Sequence, residues 1–352
     1  MRVAWLCLAL PCAAAWGRLG HQATGAIAQK LLTPDAARWV DSVLDPRFNG
    51  SLARAAPWPD TVRRQYPWAS HLHYIDTGFN VTTGVCILNM TRDCAADGCV
   101  VTAIRDFTNQ LLRGPDHPPS GPHSVPYADA LAFLVHFIGD LHNPLHVLGM
   151  DRGGNSFPVK FTRGRVASVR ASRRRRGRMN MHRVWDGELI NKRVRFQYAN
   201  SHEKFLEALW ERLDGAAGEW HGDIPAWSAC EGDDAAVAVC KPAWSACEAD
   251  DAAVAVCPAQ WAQETGRHNC KTVWNGVTRG AELGGVYYEL NAPLVERLLA
   301  QAAVRIASVI NWIVTRVPSP PPPQPHSKMH SQPETLNKVQ WKTLSDDLDP
   351  DL

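Results

Sequence analysis

Two histidine–aspartate pairs, each four residues apart, carry most of the chemistry in this sequence. The first lies in ADALAFLVHFIGDLHNPLH (128–146). Read as a helix, Leu131, Leu134, Val135 and Ile138 form one packed stripe, and His136 and Asp140 fall together on the other side. That side is also apolar, with Ala132, Phe133 and Phe137 around the pair. A buried imidazole beside a buried carboxylate needs a partner charge or a metal ion to offset lost hydration; a plain His–Asp ion pair is the alternative. Pro144 should end the helix, because the residue before a proline is pushed out of the α region, so His146 follows on a turn. NMHRVWD (180–186) repeats the spacing with His182 and Asp186. WPD (58–60) and HLHYID (71–76) add Asp60, His73 and Asp76 in loops flanked by aromatics. Imidazole nitrogen mixed with carboxylate oxygen suits zinc, whereas calcium and magnesium take mainly oxygen.

The elements that would hold these residues read mostly as helix. Thr33-Pro34-Asp35 is an N-cap with proline at the first helical position, and the helix should run from Ala36 to Leu44. Leu294, Val295, Leu298, Leu299, Ala302, Ile306, Val309, Ile310 and Ile313 recur at helical spacing and predict a long C-terminal helix with one buried face. Alternating patterns are scarce, and Ser156 to Phe161 is the best candidate for a short strand.

The chain has 352 residues, 45% hydrophobic and 20% charged, which excludes a wholly disordered protein and supplies material for a sizeable core. Residues 1–15 have the basic start, apolar stretch and small-residue end of a secretory signal. No later segment reaches about 18 uninterrupted apolar residues, so a soluble, exported protein is expected, secreted or lumenal, with no membrane association and a monomeric state. Two of the ten cysteines lie in that leader, leaving eight, and Asn49, Asn80 and Asn89 are glycosylation acceptors. None of the eight forms a C-x-x-C pair, so disulfides are favoured over zinc thiolates, and Cys94 and Cys99 should close a short loop.

Three segments stand apart from the expected domain, 16–317. Residues 162–178 hold eight arginines and no acidic residue; a solvated insertion is preferred to an electrostatic guide for a phosphate polymer. Without those charges the formal +2 would become −6, so overall charge says little about partners. Residues 225–240 and 242–257 are nearly the same sequence twice, differing at Gly232 and Ala249, which reads as a local duplication. Residues 318–352 are Pro-rich and then acidic, and read as a disordered tail.

WGRLGH (16–21), WPD (58–60), LHYIDT (72–77), FLVHFIGDLHNPLH (133–146), GGN (153–155) and NMHRVWD (180–186) together resemble the S1/P1 nuclease family, in the style of its plant members, across nearly all of 16–317. The resemblance implies an all-α fold, a single compact helical domain of the phospholipase C/P1 nuclease type. It also implies three zinc ions and hydrolysis of single-stranded DNA and RNA to 5′-phosphorylated nucleotides, with 3′-nucleotidase activity. Carried over by position, Asp60, His73, His136 and Asp140 would hold one zinc, and His146, His182 and Asp186 a second. Trp16, through its amino nitrogen and carbonyl oxygen, would hold the third with His21 and a bridging Asp140, so that signal cleavage builds the site. Paired zinc ions about 3.5 to 4 Å apart would activate a water for in-line attack on phosphorus. Arg63 would neutralise phosphate charge with Asp76 orienting it, Tyr74 would stack on a base, and Asp76 and Asn155 would reach the base edge.

By the same resemblance, Cys86 would pair with Cys240 or Cys257, and the arginine-rich stretch exceeds the family's usual spacing before His182. Two other readings compete: a zinc phospholipase C, and a secreted polyanion-binding protein without turnover. LHYIDT and GGN favour the nuclease over the first. The full set of nine ligand positions argues against the second.

Overall fold

Apolar residues at helical spacing dominate the chain, and in the computed structural model they fold as helices around a shared core. The structure describes residues 16–118, 121, 123–164, 179–229 and 256–317. The leader, most of the arginine-rich stretch, most of the duplicated segment and the tail lie outside the described residues. The helices are α1 (Arg18–Lys30), α2 (Pro34–Val43), α3 (Leu52–Ala55), α4 (Trp58–Thr61), α5 (Met90–Asp93), α6 (Val100–Arg113) and α7 (Tyr127–Leu141). They continue with α8 (Met181–Arg183), α9 (Leu189–Gln197), α10 (His202–Leu213), α11 (Ile224–Ser228), α12 (Pro258–His268) and α13 (Val286–Val314).

Local chemistry explains several boundaries. Thr33 Oγ1 accepts the amide of Ala36 and Pro34 opens α2, as the cap signal requires. Every residue of α7 from Asp129 to Leu141 is buried, so this is a helix enclosed on all sides. Its aromatic face meets α6 through a stacked Phe107–Phe133 pair, with centroids 5.2 Å apart. After Asn143 the chain tightens into a 3₁₀ turn, Pro144–Val147, which carries His146 away from the helix axis.

Helix α13 begins upstream of the stretch whose periodicity predicts it and runs through Pro293. The ring removes one main-chain donor, but tertiary anchors hold the first turns. Trp185 Nε1 donates to Tyr287 Oη (2.7 Å), and that hydroxyl donates to the Val273 carbonyl (2.9 Å). Helix α13 is long and apolar enough to cross a bilayer by composition, yet 67% of its most apolar window is buried within the protein. Its buried Glu296 takes Arg193 (2.6 Å), Tyr198 (2.8 Å) and Arg212 (2.9 Å), which ties α9 and α10 to it. Arg305, also buried, reaches His142 Nε2 (2.9 Å), the Trp227 carbonyl (3.1 Å) and Glu264, which ties in α7, α11 and α12.

Two expectations are corrected. Ser156 to Phe161 is no strand, and the described residues contain only isolated bridges; here Pro158 pairs with Asn180 and Lys160 with Glu282. Pro158 has no N–H to donate, and the two bridges go to different segments, so no ladder propagates. Cys86 pairs with Cys270, not with Cys240 or Cys257. Gln263 on α12 accepts the Leu88 amide and donates to the Cys86 carbonyl, both at 2.8 Å, which lays the 86–88 loop along α12 toward Cys270. Cys257 is itself disulfide-bonded. The expected Cys94–Cys99 bond is present.

Candidate metal centre

The centre is assembled on α7. His136 and Asp140 lie one turn apart, with His136 Nε2 3.1 Å from Asp140 Oδ2. His73 Nδ1 approaches the same oxygen at 2.9 Å and His136 Nε2 at 2.9 Å. Helix α4, packed on α7 through Trp58 against Phe133, brings Asp60 Oδ1 to 3.8 Å from His136 Nε2 and 3.9 Å from His73 Nδ1. The other oxygen of Asp140 lies 3.2 Å from His21 Nε2 of α1. His21 stacks on His136 with centroids 3.9 Å apart.

A second cluster forms beside the first. His146 Nε2 is 3.9 Å and His182 Nε2 is 3.3 Å from Asp186. Asp186 sits in a π turn, Val184–Glu188, between α8 and α9, and the widened turn keeps His182 and Asp186 side by side. Three groups each place their ligand atoms within 4.8 Å of one another: His21, His136 and Asp140; Asp60, His73 and His136; and His146, His182 and Asp186.

Backbone carbonyls orient the rings. His136 Nδ1 donates to the Ala56 carbonyl (2.7 Å), His146 Nδ1 to His73 (2.7 Å) and His182 Nδ1 to Gly153 (2.6 Å). A carbonyl only accepts, so Nδ1 holds the proton and Nε2 presents a lone pair to the centre, the arrangement that metal-binding imidazoles use. Asp140 Oδ1 and Nε2 of His21, His146 and His182 are buried with no hydrogen-bond partner among the described residues. Burial without a partner is costly for such atoms. A cation seated among these lone pairs would relieve that cost, so the donor set fits a metal.

Electrostatics points the same way. Burial, with neighbouring imidazoles, holds His21, His73 and His146 well below the ordinary histidine range, and burial lowers His182 to about 4. Burial opposes a charge on His136 too, but the Asp140 and Asp60 carboxylates outweigh it and raise that ring. Burial lifts Asp140 to about 7 against the pull of His136, and burial with Asp60 and Asp140 lifts Asp186 well above the carboxylate range. Four neutral rings beside carboxyls that resist ionisation form a site short of positive charge.

The remaining predicted residues lie around this centre. Trp16 is fully buried, and the Gly17 amide donates to the Asp186 carbonyl (2.6 Å), which seats residues 16 and 17 on the second cluster. Arg63 donates to Asp60 (2.6 Å). The Ile75 amide donates to the His146 carbonyl (2.8 Å) and Ile75 is buried, so Tyr74 and Asp76 both face solvent by the two-residue alternation of extended chain. Partial burial raises Asp76, and Arg152 opposes that shift. Asn155 Nδ2 donates to the Arg152 carbonyl (2.9 Å), so its amide closes a turn. In that turn Asp151, Arg152, Gly153 and Gly154 have φ of 50°, 58°, 61° and 81°, one winding of left-handed chain. The two non-glycine residues cost about 1–2 kcal/mol each. A Cβ at Gly153 would stand 2.5 Å from the Leu145 carbonyl.

Sequence reasoning missed Asn143, whose buried amide donates to Asp186 Oδ1 (3.0 Å). An amide inside an apolar helix end was the available signal. It also missed the orienting carbonyls of Ala56 and Gly153, which leave no trace in residue type.

Fold and site together define a helical protein built around a histidine–carboxylate metal centre. The family model for S1/P1 nuclease matches residues 16–315, and the chain belongs to that family. It is 32% identical to Endonuclease 3 of Arabidopsis thaliana over 302 residues, which is 85% of this chain and 88% of that one. It is 31% identical to Endonuclease 4 of the same plant, over 86% of this chain and 90% of that one. Nuclease S1 of Aspergillus oryzae is 26% identical over 86% of this chain and 92% of its own. The chain is therefore a nuclease, a hydrolase of phosphodiester bonds.

Proposed function

We propose that this nuclease is an exported, three-zinc endonuclease that cuts single-stranded DNA and RNA to 5′-phosphorylated nucleotides and has 3′-nucleotidase activity. The observation that carries the reading is the set of buried atoms without a hydrogen bond on His21, Asp140, His146 and His182, converging with His73, His136, Asp60 and Asp186. Asp60, His73, His136 and Asp140 would hold one ion, and His146, His182 and Asp186 another. His21, Asp140 and the freed amino nitrogen and carbonyl of Trp16 would hold the third. Bound zinc supplies Lewis acidity toward phosphate oxygens and a nucleophile at neutral pH.

The chain's own residues divide the remaining work. Asp140 spans two clusters, with one oxygen toward His21 and the other toward His73 and His136. Asn143 holds Asp186 in place. Arg63 balances charge on the phosphate beside Asp60, Tyr74 offers a face for stacking, and Asp76 and Asn155 border it. Stacking on an aromatic ring requires an unpaired base, which a duplex does not present. Removal of residues 1–15 frees the Trp16 amine, which titrates near about 8 and yields its proton to a metal, whereas an amide nitrogen inside the chain does not.

The test is hydrolysis of denatured and duplex DNA by the purified enzyme, before and after chelation and with zinc restored. Activity should favour denatured DNA, vanish on chelation and return with zinc. Asp140→Asn should lower the rate by more than about tenfold, with loss of bound zinc. Undiminished cleavage by metal-stripped protein, or a variant keeping a tenth or more of the rate, would refute the assignment.

A further inference from the structure

The left-handed winding at Asp151–Gly154 is built into the second cluster and held from outside. Its Gly153 carbonyl accepts Nδ1–H of His182 at 2.6 Å, which decides that Nε2 faces Asp186. The turn also lies tight against the segment carrying His146, since the Leu145 carbonyl fills the space a Gly153 side chain would need. The position of this carbonyl therefore depends on two residues, Asp151 and Arg152, whose side chains disfavour the φ they adopt.

One distant side chain spans the turn. Arg279, between α12 and α13, donates through Nη2 to Asp151 Oδ1 (2.5 Å) and through Nη1 to the Ser156 carbonyl (2.9 Å). Its guanidinium also lies over the Phe157 ring, 4.8 Å from the centroid. The segment presenting Arg279 is itself fixed, because the Gly280 amide donates to the Pro158 carbonyl (2.7 Å) and the Lys160 amide to the Ala281 carbonyl (2.8 Å). Asp151 opens the left-handed run and Ser156 lies just past its end, so a planar two-pronged donor fixes the distance between the ends of the turn.

We propose that Arg279 is a positioning residue for the His146–His182–Asp186 metal site, acting through Asp151 and the Gly153 carbonyl on the ring of His182. The Arg279 and Asp151 side chains are 54% and 21% exposed, and a pair so open to solvent contributes little to global stability. Its effect should therefore appear in metal binding rather than in melting. This inference rests on the zinc reading above.

The experiment titrates zinc-loaded wild type, Arg279→Ala and Arg279→Lys with a competing chelator, counts retained zinc, and records the melting temperature of the loaded protein. In Arg279→Ala one zinc in three should be withdrawn at about tenfold lower chelator concentration, the scale for outer partners of metal ligands. The other two should be held as in wild type and the melting temperature should be little changed. Arg279→Lys, with one prong, should fall between. Adding Asp151→Gly and Arg152→Gly to Arg279→Ala should restore part of the loss, because glycine takes the left-handed conformation without a brace. A wild type that binds no zinc would defeat the zinc reading itself. A wild type that binds three, with Arg279→Ala matching it or losing all three in step with a large fall in melting temperature, would overturn the role of Arg279 alone.

Discussion

Asp140 faces three histidines from complete burial, and its carboxyl is raised to about 7 chiefly by that burial. The direction fixes a consequence for metal uptake. Between its ordinary value of 3.8 and about 7, the metal-free carboxyl holds a proton that it must surrender to coordinate. His136 is raised only by the ionised Asp140 and Asp60 carboxylates, so the ring and Asp140 share this proton as one coupled pair. Zinc uptake should thus release at least one proton at pH 6 and fewer at pH 8.5, with affinity rising as pH climbs through about 7. Titration calorimetry in two buffers of different ionisation enthalpy measures that count, and equal release at both pH values would contradict a buried protonated pair. At this scale the sequence was highly legible. Spacing four apart places His136 with Asp140 and His182 with Asp186 without knowledge of the fold. Ala56 was invisible because its contribution is a carbonyl, and main-chain geometry is not written in side-chain type.

Between elements, close approach rather than ligation decides what can change. Gly25 on α1 faces α3, and a Cβ there would stand 2.5 Å from the Leu52 carbonyl and 2.9 Å from the Ala53 nitrogen. Both neighbours are main chain and cannot rotate aside. Gly25→Ala should destabilise the fold by about 1–3 kcal/mol, the range for overpacking, and thermal melting with metal bound would read it. A neutral outcome would mean that α1 and α3 separate freely. Since α1 carries His21 and α3 leads to the Ala56 carbonyl, the variant should also loosen the rings those elements hold. Helix identity followed from periodicity, as in α7 and α13. What escaped was tertiary override: Tyr287 anchors a helical start upstream of Pro293, and the bridges of Pro158 and Lys160 go to separate segments in place of a strand.

Across the whole molecule, the duplicated stretch poses a clear question. The described structure uses Trp227 and Ser228 from the first copy and Val256 and Cys257 from the second. Deleting residues 230–246 removes one period and leaves a single copy between the same flanks, with cysteines lost as a pair. The shortened protein should melt within about 3 °C of the full chain, equivalent to about 1 kcal/mol or less, and cleave denatured DNA at an unchanged rate. A large fall in either would show that both copies are needed. The Cys86 partner illustrates what only the complete fold decides. Two candidate cysteines lie in the copies, yet the bond goes to Cys270, because Gln263 aligns the Cys86 loop with α12.

Helix α1 rests on α13, and Asn311 clamps its far end by accepting the Thr33 amide (2.9 Å) and donating to the Leu31 carbonyl (3.1 Å). His21 thus leaves the ribosome among the earliest residues, while α13, on which its helix rests, follows all the other described helices. A growing polypeptide carries every histidine of the centre before it has α13. A chain that stops short of α13 should therefore leave α1, and with it His21, without the helix it packs on.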